Sequence, residues 1–348
     1  MMKSSPQQQT LLLFIFLFIS NLSFSSSRLT EDFRVQQYHE RGYQWPPSFV
    51  TPNTTGWRFL ADRRFEQAEH ITTGKEKYDL WLQSISSSIV QPNFTKTGWG
   101  LTRAPADLVE ELRDTVWSAY EAGEYRFERD VEVITGDAPL FIDSPRLTRR
   151  ALYDLLPLHE AWAGIELEPF TAYGFRLYRN DSSLYMHVDK PDTHIISCIL
   201  HIDSSEDAED WPIIIEDYEG NTNEVVLTPG DMLFYESSKC FHGRPKKFIG
   251  SWYSSIFVHY YPKDNWDRNG RELEGHYAIP EHWRDVSEEP EQHAKAHVVG
   301  TGLIEPECEG NWCLLSESVK WKGPAEDGMV ITANGEMFPL YDEEEEEL

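Results

Sequence analysis

Between about Glu166 and Lys263 the chain switches repeatedly between short apolar runs and polar, turn-forming stretches. Eight runs rich in β-branched and aromatic residues stand out: FTAYGFRLYRN (170–180), LYMHVD (184–189), HIISCILHID (194–203), WPIIIED (211–217), EVVLTP (224–229), DMLFYES (231–237), CFHGRP (240–245) and GSWYSSIFVHYYP (250–262). The spacers KPDT, SSEDAED, YEGNTN and PGD supply the turn formers. Runs of this length with such punctuation predict strands. Eight of them in fewer than a hundred residues predict a double-stranded β-helix, or jelly roll, whose two sheets wrap a ligand-sized interior. A plain sandwich without a site carries the same rhythm, so the pattern by itself reaches only the fold class.

The flanks read differently. Residues 27–165 are mixed and partly helical. PADLVEELRDTVWSAYEAGEY places Leu108, Leu112 and Val116 at helical spacing, with Pro105 near the start and Gly123 as a stop. SPRLTRRALYDLLPLHEAWAGI predicts one helix or a pair, with Ser144 as N-cap and Pro157 as the break. Residues 264–348 turn polar and irregular, with a hairpin expected at Asn334-Gly335 and an acidic tail from Asp342 to Glu347. They read as a small C-terminal extension of the 166–263 core. The expected class is therefore mainly β with flanking helices (α+β).

Composition narrows the function classes. The 348 residues are 40% hydrophobic and 13% aromatic, with 12 Trp, which describes a folding chain and not a disordered one. A formal charge of −28 excludes nucleic acid as a partner, because phosphate binding needs a basic footprint. At the N-terminus, Lys3, the run LLLFIFLFI (11–19) and the small residues of SNLSFSSS form the layout of a signal peptide over residues 1–26. The apolar run is shorter than the ~20 residues of a spanning helix; a membrane enters only if this segment is kept as an anchor. Sequons at Asn53, Asn93 and Asn180 make these residues glycosylation candidates and agree with the secretory pathway, as an endoplasmic reticulum, Golgi or secreted protein. Cys308 and Cys313 in CEGNWC are placed to close a small disulfide loop, whereas Cys198 and Cys240 are either paired or simply buried.

The candidate chemistry lies in the second and seventh strands. In a strand, residues i and i+2 share a face, so His187 and Asp189 point together while Val188 turns away. His242 follows 53 residues after Asp189, beyond the strand DMLFYES. Two imidazoles and one carboxylate on one face of an octahedral iron leave three positions open, the facial triad of non-haem Fe(II) oxygenases. An H-x-D pair alone is a weak signal; the strand context and the distal His give it weight. With Tyr178 nine residues before His187, and PGDMLF shortly before His242, residues 170–262 resemble the Fe(II)/2-oxoglutarate oxygenase superfamily, and more loosely its prolyl 4-hydroxylase branch. The resemblance implies His187, Asp189 and His242 as iron ligands and Tyr178 on the 2-oxoglutarate pocket. It implies O2 and 2-oxoglutarate as cosubstrates, and hydroxylation of a C–H bond in a peptide or small molecule of the secretory pathway.

The pattern departs from that family in two places. The family anchors 2-oxoglutarate with a Lys or Arg about ten residues after the distal His, where this chain has Trp252. Arg176, on the strand face of Tyr178, and Arg244, two residues beyond His242, are the replacement candidates. The Gly-Gly-x-Thr stretch often found in prolyl 4-hydroxylases is also missing, and EDAEDWPIIIEDYEG stands in its place. His194, His201 and His259 read as structural histidines. An oxygenase of this kind needs no activated nucleophile, and no G-x-S-x-G or P-loop motif occurs. Two readings stay open beside the oxygenase: a non-catalytic jelly-roll binding module of the secretory pathway, and a facial-triad oxygenase that does not use 2-oxoglutarate.

Overall fold

The structure, a computed structural model, describes residues 54–69, 91–129, 131–268, 297–299, 302–304 and 318–341, with isolated positions between 71 and 88. The expected signal segment (1–26), Asn53, Cys308, Cys313 and the acidic tail lie outside the described residues. Among the described residues no helix is long and apolar enough to cross a membrane.

In chain order the elements begin with helix α1 (Thr55–Glu69), strand β1 (Trp99–Arg103), helix α2 (Ala106–Ala122) and the short strands β2 (Arg126–Phe127), β3 (Ile134–Thr135) and β4 (Leu140–Phe141). Helices α3 (Pro145–Asp154) and α4 (Leu156–Ala163) follow. The next eight strands are the expected set: β5 (Leu167–Arg179), β6 (Ser183–His187), β7 (Ile196–Ser204), β8 (Ile213–Glu216), β9 (Thr222–Val226), β10 (Asp231–Tyr235), β11 (His242–Arg244) and β12 (Trp252–Pro262). The hairpins β13 (His297–Val299) with β14 (Gly302–Ile304), then β15 (Ser318–Lys322), and β16 (Met329–Thr332) with β17 (Met337–Pro339) complete the order.

Two sheets result. The first runs β17-β16-β1-β10-β7-β12-β5-β4-β2, and the second β13-β14-β6-β11-β8-β9-β15, with β3 also on β6. The eight core strands divide four and four as β10-β7-β12-β5 and β6-β11-β8-β9, which is the jelly roll. The described strands of residues 264–348 are regular and belong to the two sheets, β16 beside β1, β14 beside β6, and β15 parallel to β9. Polar sequence concealed this because a strand near the margin of a sheet buries one face, as the alternating burial of β16 shows.

Side-chain parity explains the strand compositions. On the first sheet, Cys198, Leu200, Phe234, Ile256, Val258, Phe175 and Leu177 pack outward under α2, α3 and α4. The residues between them face the second sheet. Both faces are thus covered, and the strands read as almost continuous apolar runs. Helix α2 lays Leu108, Leu112, Val116 and Ala119 on this outer face and ends at Gly123 in the left-handed region. The chain breaks between α3 and α4 at Leu155, with Pro157 in the first turn of α4, and Ser144, at the N-cap position, makes no capping bond. Inside the roll, Ile199, Ile215, Val225 and Leu233 fill one part, and Tyr178, Trp211, Phe248 and Tyr253 form a separate aromatic cluster. Cys198 and Cys240 are both free and buried.

Candidate metal centre and its pocket

His187 ends β6 and His242 opens β11, and these antiparallel neighbours set the two residues directly opposite each other. Gly243 permits the approach: a Cβ there would lie 2.8 Å from Tyr185 O and 2.9 Å from Leu184 O. The two imidazole centroids are 4.4 Å apart. Asp189 lies just past β6, its amide donating to Ser237 O at 2.8 Å. Its Oδ1 is 3.7 Å from His187 Nε2 and 4.0 Å from His242 Nε2. One potential ligand atom from each residue lies within 4.8 Å of the others, and among the described residues this is the single such group.

The backbone decides which ring nitrogens are free. His187 Nδ1 is 2.7 Å from Tyr185 O, and His242 Nδ1 is 2.9 Å from Cys240 O. A carbonyl only accepts, so each Nδ1 carries the proton and each Nε2 keeps its lone pair. Metal-ligating histidines are oriented in this way. Burial pushes both pKa values down to about 4, with the neighbouring imidazole adding to the effect at His187. Both rings are neutral near pH 7 and need lose no proton to bind a metal. Asp189 Oδ2 is buried without a hydrogen-bond partner, a costly state for a carboxylate unless a cation compensates it. The donor set and the orphaned oxygen fit a divalent ion of the facial-triad kind.

The three residues open into a pocket of about 370 Å3, walled by Arg176 and Tyr178 from β5, Tyr235 from β10, Phe257 and His259 from β12, and His194. Burial first, then the Asp189 charge, raises the Tyr235 phenol well above its ordinary pKa. His259 is held by a directed chain. Ser237 Oγ donates to His194 O at 2.8 Å, Ser197 Oγ lies 2.8 Å from Ser237 Oγ, and His259 Nδ1 lies 2.8 Å from Ser197 Oγ. Because the terminal carbonyl only accepts, every donor points one way, and His259 Nδ1 must carry its proton. His194 packs on this ring at 4.0 Å between centroids. Both residues make the structural contacts expected of them, but both also line the pocket. His201 is structural alone, with Nδ1 2.9 Å from Ser254 O and its ring stacked on Tyr253. A larger surface groove of about 590 Å3 lies between α2 and the β2–β4 edge, and it holds no such ligand group.

No family model matches the chain, and no curated protein does. Solved structures do. A Pseudomonas putida prolyl-4-hydroxylase is similar at 21% identity, over 48% of this chain and 94% of that one, with a TM-score of 0.38. A Trichoplax adhaerens prolyl hydroxylase, in complex with a hypoxia inducible factor oxygen degradation domain peptide fragment, is similar at 13% identity, over 51% and 86%, with a TM-score of 0.38. HygX from Streptomyces hygroscopicus, with nickel and 2-oxoglutarate bound, is similar at 15% identity, over 48% and 84%, with a TM-score of 0.36.

The two arginines picked out by sequence occupy different places. Arg176 is on the pocket wall. Its Nε and Nη2 donate to Glu128 at 2.6 and 2.9 Å, and Nη1 donates to Tyr178 Oη at 3.3 Å. Burial raises the Glu128 pKa, but the Arg176 contact outweighs it and holds the carboxyl below its ordinary value. Arg244 is not on the wall. It is buried between the rings of Trp211 and Tyr253, at 4.6 and 4.7 Å, and donates to Trp211 O and Tyr253 Oη. Trp252 leaves no gap in the pocket, because strand parity turns it outward against Trp117 and Tyr120. The inward residues of that stretch are Tyr253 and Ser255. Ser255, opposite Arg176 on the neighbouring strand, has a buried Oγ without a partner.

Sequence reasoning missed Ser255, Tyr235 and Glu128. The first two could have been found by carrying the inward parity of β10 and β12 across, since Leu233–Tyr235 and Tyr253–Ser255 are i, i+2 pairs. Glu128 carries no local signal. Of the sequons, Asn180 is exposed, whereas Asn93 is half-buried, with Thr95 Oγ1 donating to Glu236 at 2.6 Å.

Proposed function

We propose that the protein is an Fe(II)- and 2-oxoglutarate-dependent dioxygenase that hydroxylates a C–H bond of a secretory-pathway substrate, a peptidyl residue being one option. The observation that carries this reading is the pair of deprotonated Nε2 atoms converging with Asp189 Oδ1 beside an orphaned Oδ2. When bound, Fe(II) with 2-oxoglutarate and O2 supplies the oxidation: substrate C–H becomes C–OH, and 2-oxoglutarate becomes succinate and CO2.

The chain's own residues hold and orient. His187, Asp189 and His242 hold the metal, and the Tyr185 and Cys240 carbonyls fix the two rings. Arg176 anchors the distal carboxylate of 2-oxoglutarate. A guanidinium has five N–H donors, and three are engaged by Glu128 and Tyr178. The remaining donors and the Ser255 hydroxyl serve a carboxylate, with Tyr178 alongside. Arg244 braces the aromatic cluster behind. The LLLFIFLFI run and the exposed Asn180 support the secretory setting.

Anaerobic addition of Fe(II) and then 2-oxoglutarate to the purified protein tests this. A weak visible charge-transfer band is expected in the wild type and not in His187→Ala. Iron uptake without the band points to an oxygenase that does not use 2-oxoglutarate. Absence of iron binding overturns the metal reading.

A further inference from the structure

Next to Thr171 and His259 of the pocket wall, β5 and β12 lose register between His259 and Tyr260, and Phe170 is the extra residue of the resulting bulge. Bulges re-aim side chains, and Phe170 turns out, 41% exposed, with its ring centroid 5.5 Å from that of His194. It meets Tyr261 at 6.5 Å between centroids. The guanidinium of Arg268 lies 5.3 Å from both rings, and its Nη2 is 3.9 Å from Asp192 Oδ2.

Two aromatic faces and a carboxylate around a planar cation form a recognition site for a guanidinium. We propose that this cage is the subsite for an arginine side chain of a polypeptide substrate, and that Arg268 fills it in the free protein as an internal stand-in. The proposal rests on the hydroxylase reading, whose substrate class it names. Arg268 is 44% exposed and its contact with Asp192 is at the long limit of an ion pair, so the occupant is held loosely and can exchange. Lys190, on the pocket wall, adds a local positive charge, but the chain's net charge of −28 draws cations towards it overall. The rings of His194 and His259 link the cage to Asp189 by successive contacts. A side chain bound there presents nearby residues of its peptide to the metal.

Binding of acetyl-Ala-Gly-Arg-Gly-Ala-amide to the full chain, without iron or 2-oxoglutarate, tests the cage by ligand-observed NMR. The same peptide with the uncharged isostere citrulline is the control. The arginine peptide should bind about tenfold tighter than its control, and Arg268→Ala should tighten it by about a further fivefold, since the internal cation no longer competes. Phe170→Ala and Asp192→Asn should each weaken it. Equal binding of the two peptides, or unchanged affinity in Arg268→Ala, overturns the proposal, as does absence of binding in that variant. Failure of the hydroxylase reading shows separately, as a missing iron or 2-oxoglutarate signal.

Discussion

Two pairs of histidines share one pocket, and only one pair is built to hold a metal. The rings of His187 and His242 lie 4.4 Å apart between centroids, and those of His194 and His259 4.0 Å apart. Burial lowers the pKa of all four. The difference lies in what holds Nδ1. In the first pair each ring is fixed by the carbonyl two residues earlier on its own chain segment, which aims both Nε2 atoms at Asp189. In the second pair, hydroxyls hold Nδ1: Ser197 for His259 and Thr193 for His194. For His259, Nδ1 is also the atom nearest Asp189, at 3.9 Å from Oδ2. Neutral imidazoles near a carboxylate are therefore not enough; a ligand needs a rigid partner on one nitrogen and a clear line from the other.

The largest effect should separate the pairs outright. His187→Ala or His242→Ala should weaken metal binding by at least about a hundredfold, whereas His259→Ala should change it by less than about tenfold, below the 10–100-fold that loss of a ligand's own hydrogen-bond partner costs. Calorimetric titration of Fe(II) or Mn(II) reads this, and equal losses would erase the distinction. Gly243→Ala attacks the strand contact that creates the first pair. Its Cβ would meet the β6 backbone at under 3 Å, so a loss of about 2–3 kcal/mol in urea denaturation is expected, together with weaker metal binding.

The cosubstrate side gives a graded result. Arg176→Met, paired with Glu128→Gln so that no buried charge is stranded, should weaken 2-oxoglutarate by about 10–100-fold with metal affinity kept. Arg244→Met should lower stability yet leave 2-oxoglutarate affinity within about threefold. The reverse ranking, read from the charge-transfer band, would exchange their roles. The smallest effect concerns His159 and His201, buried away from the pocket, whose pKa values burial pushes down to about 3. The unfolded chain takes up these protons near pH 6.5 and the folded chain does not. Stability is full above pH 6.5 and falls with pH towards 3, by up to about 1.4 kcal/mol per pH unit for each group. Denaturation between pH 7 and 5 should show a shallower slope in His159→Phe; an unchanged slope would mean that His159 does not set this acid limit.

Much of this was legible along the chain. The eight strands, the α2 stripe, the break between α3 and α4 and the Asn334-Gly335 hairpin follow from local periodicity and turn chemistry, which do not depend on distant partners. Arg176 reached the pocket by the same i, i+2 rule that aligned it with Tyr178. Arg244 obeys that rule relative to His242 as well, and yet Trp211 and Tyr253 enclose it. Parity gives a face but not what stands on that face.

The sequence by itself determined the alternation of strands and turns, and hence which side chains could share a face, because a two-residue repeat is a local property of the backbone. It also marked His187, Asp189 and His242 as a possible set. Only the tertiary structure decided that β6 and β11 are neighbours, that 264–348 lends strands to both sheets, and that Glu128 reaches Arg176 from 48 residues away. Those contacts depend on which elements pack together, and the energy that selects them is spread over the whole core.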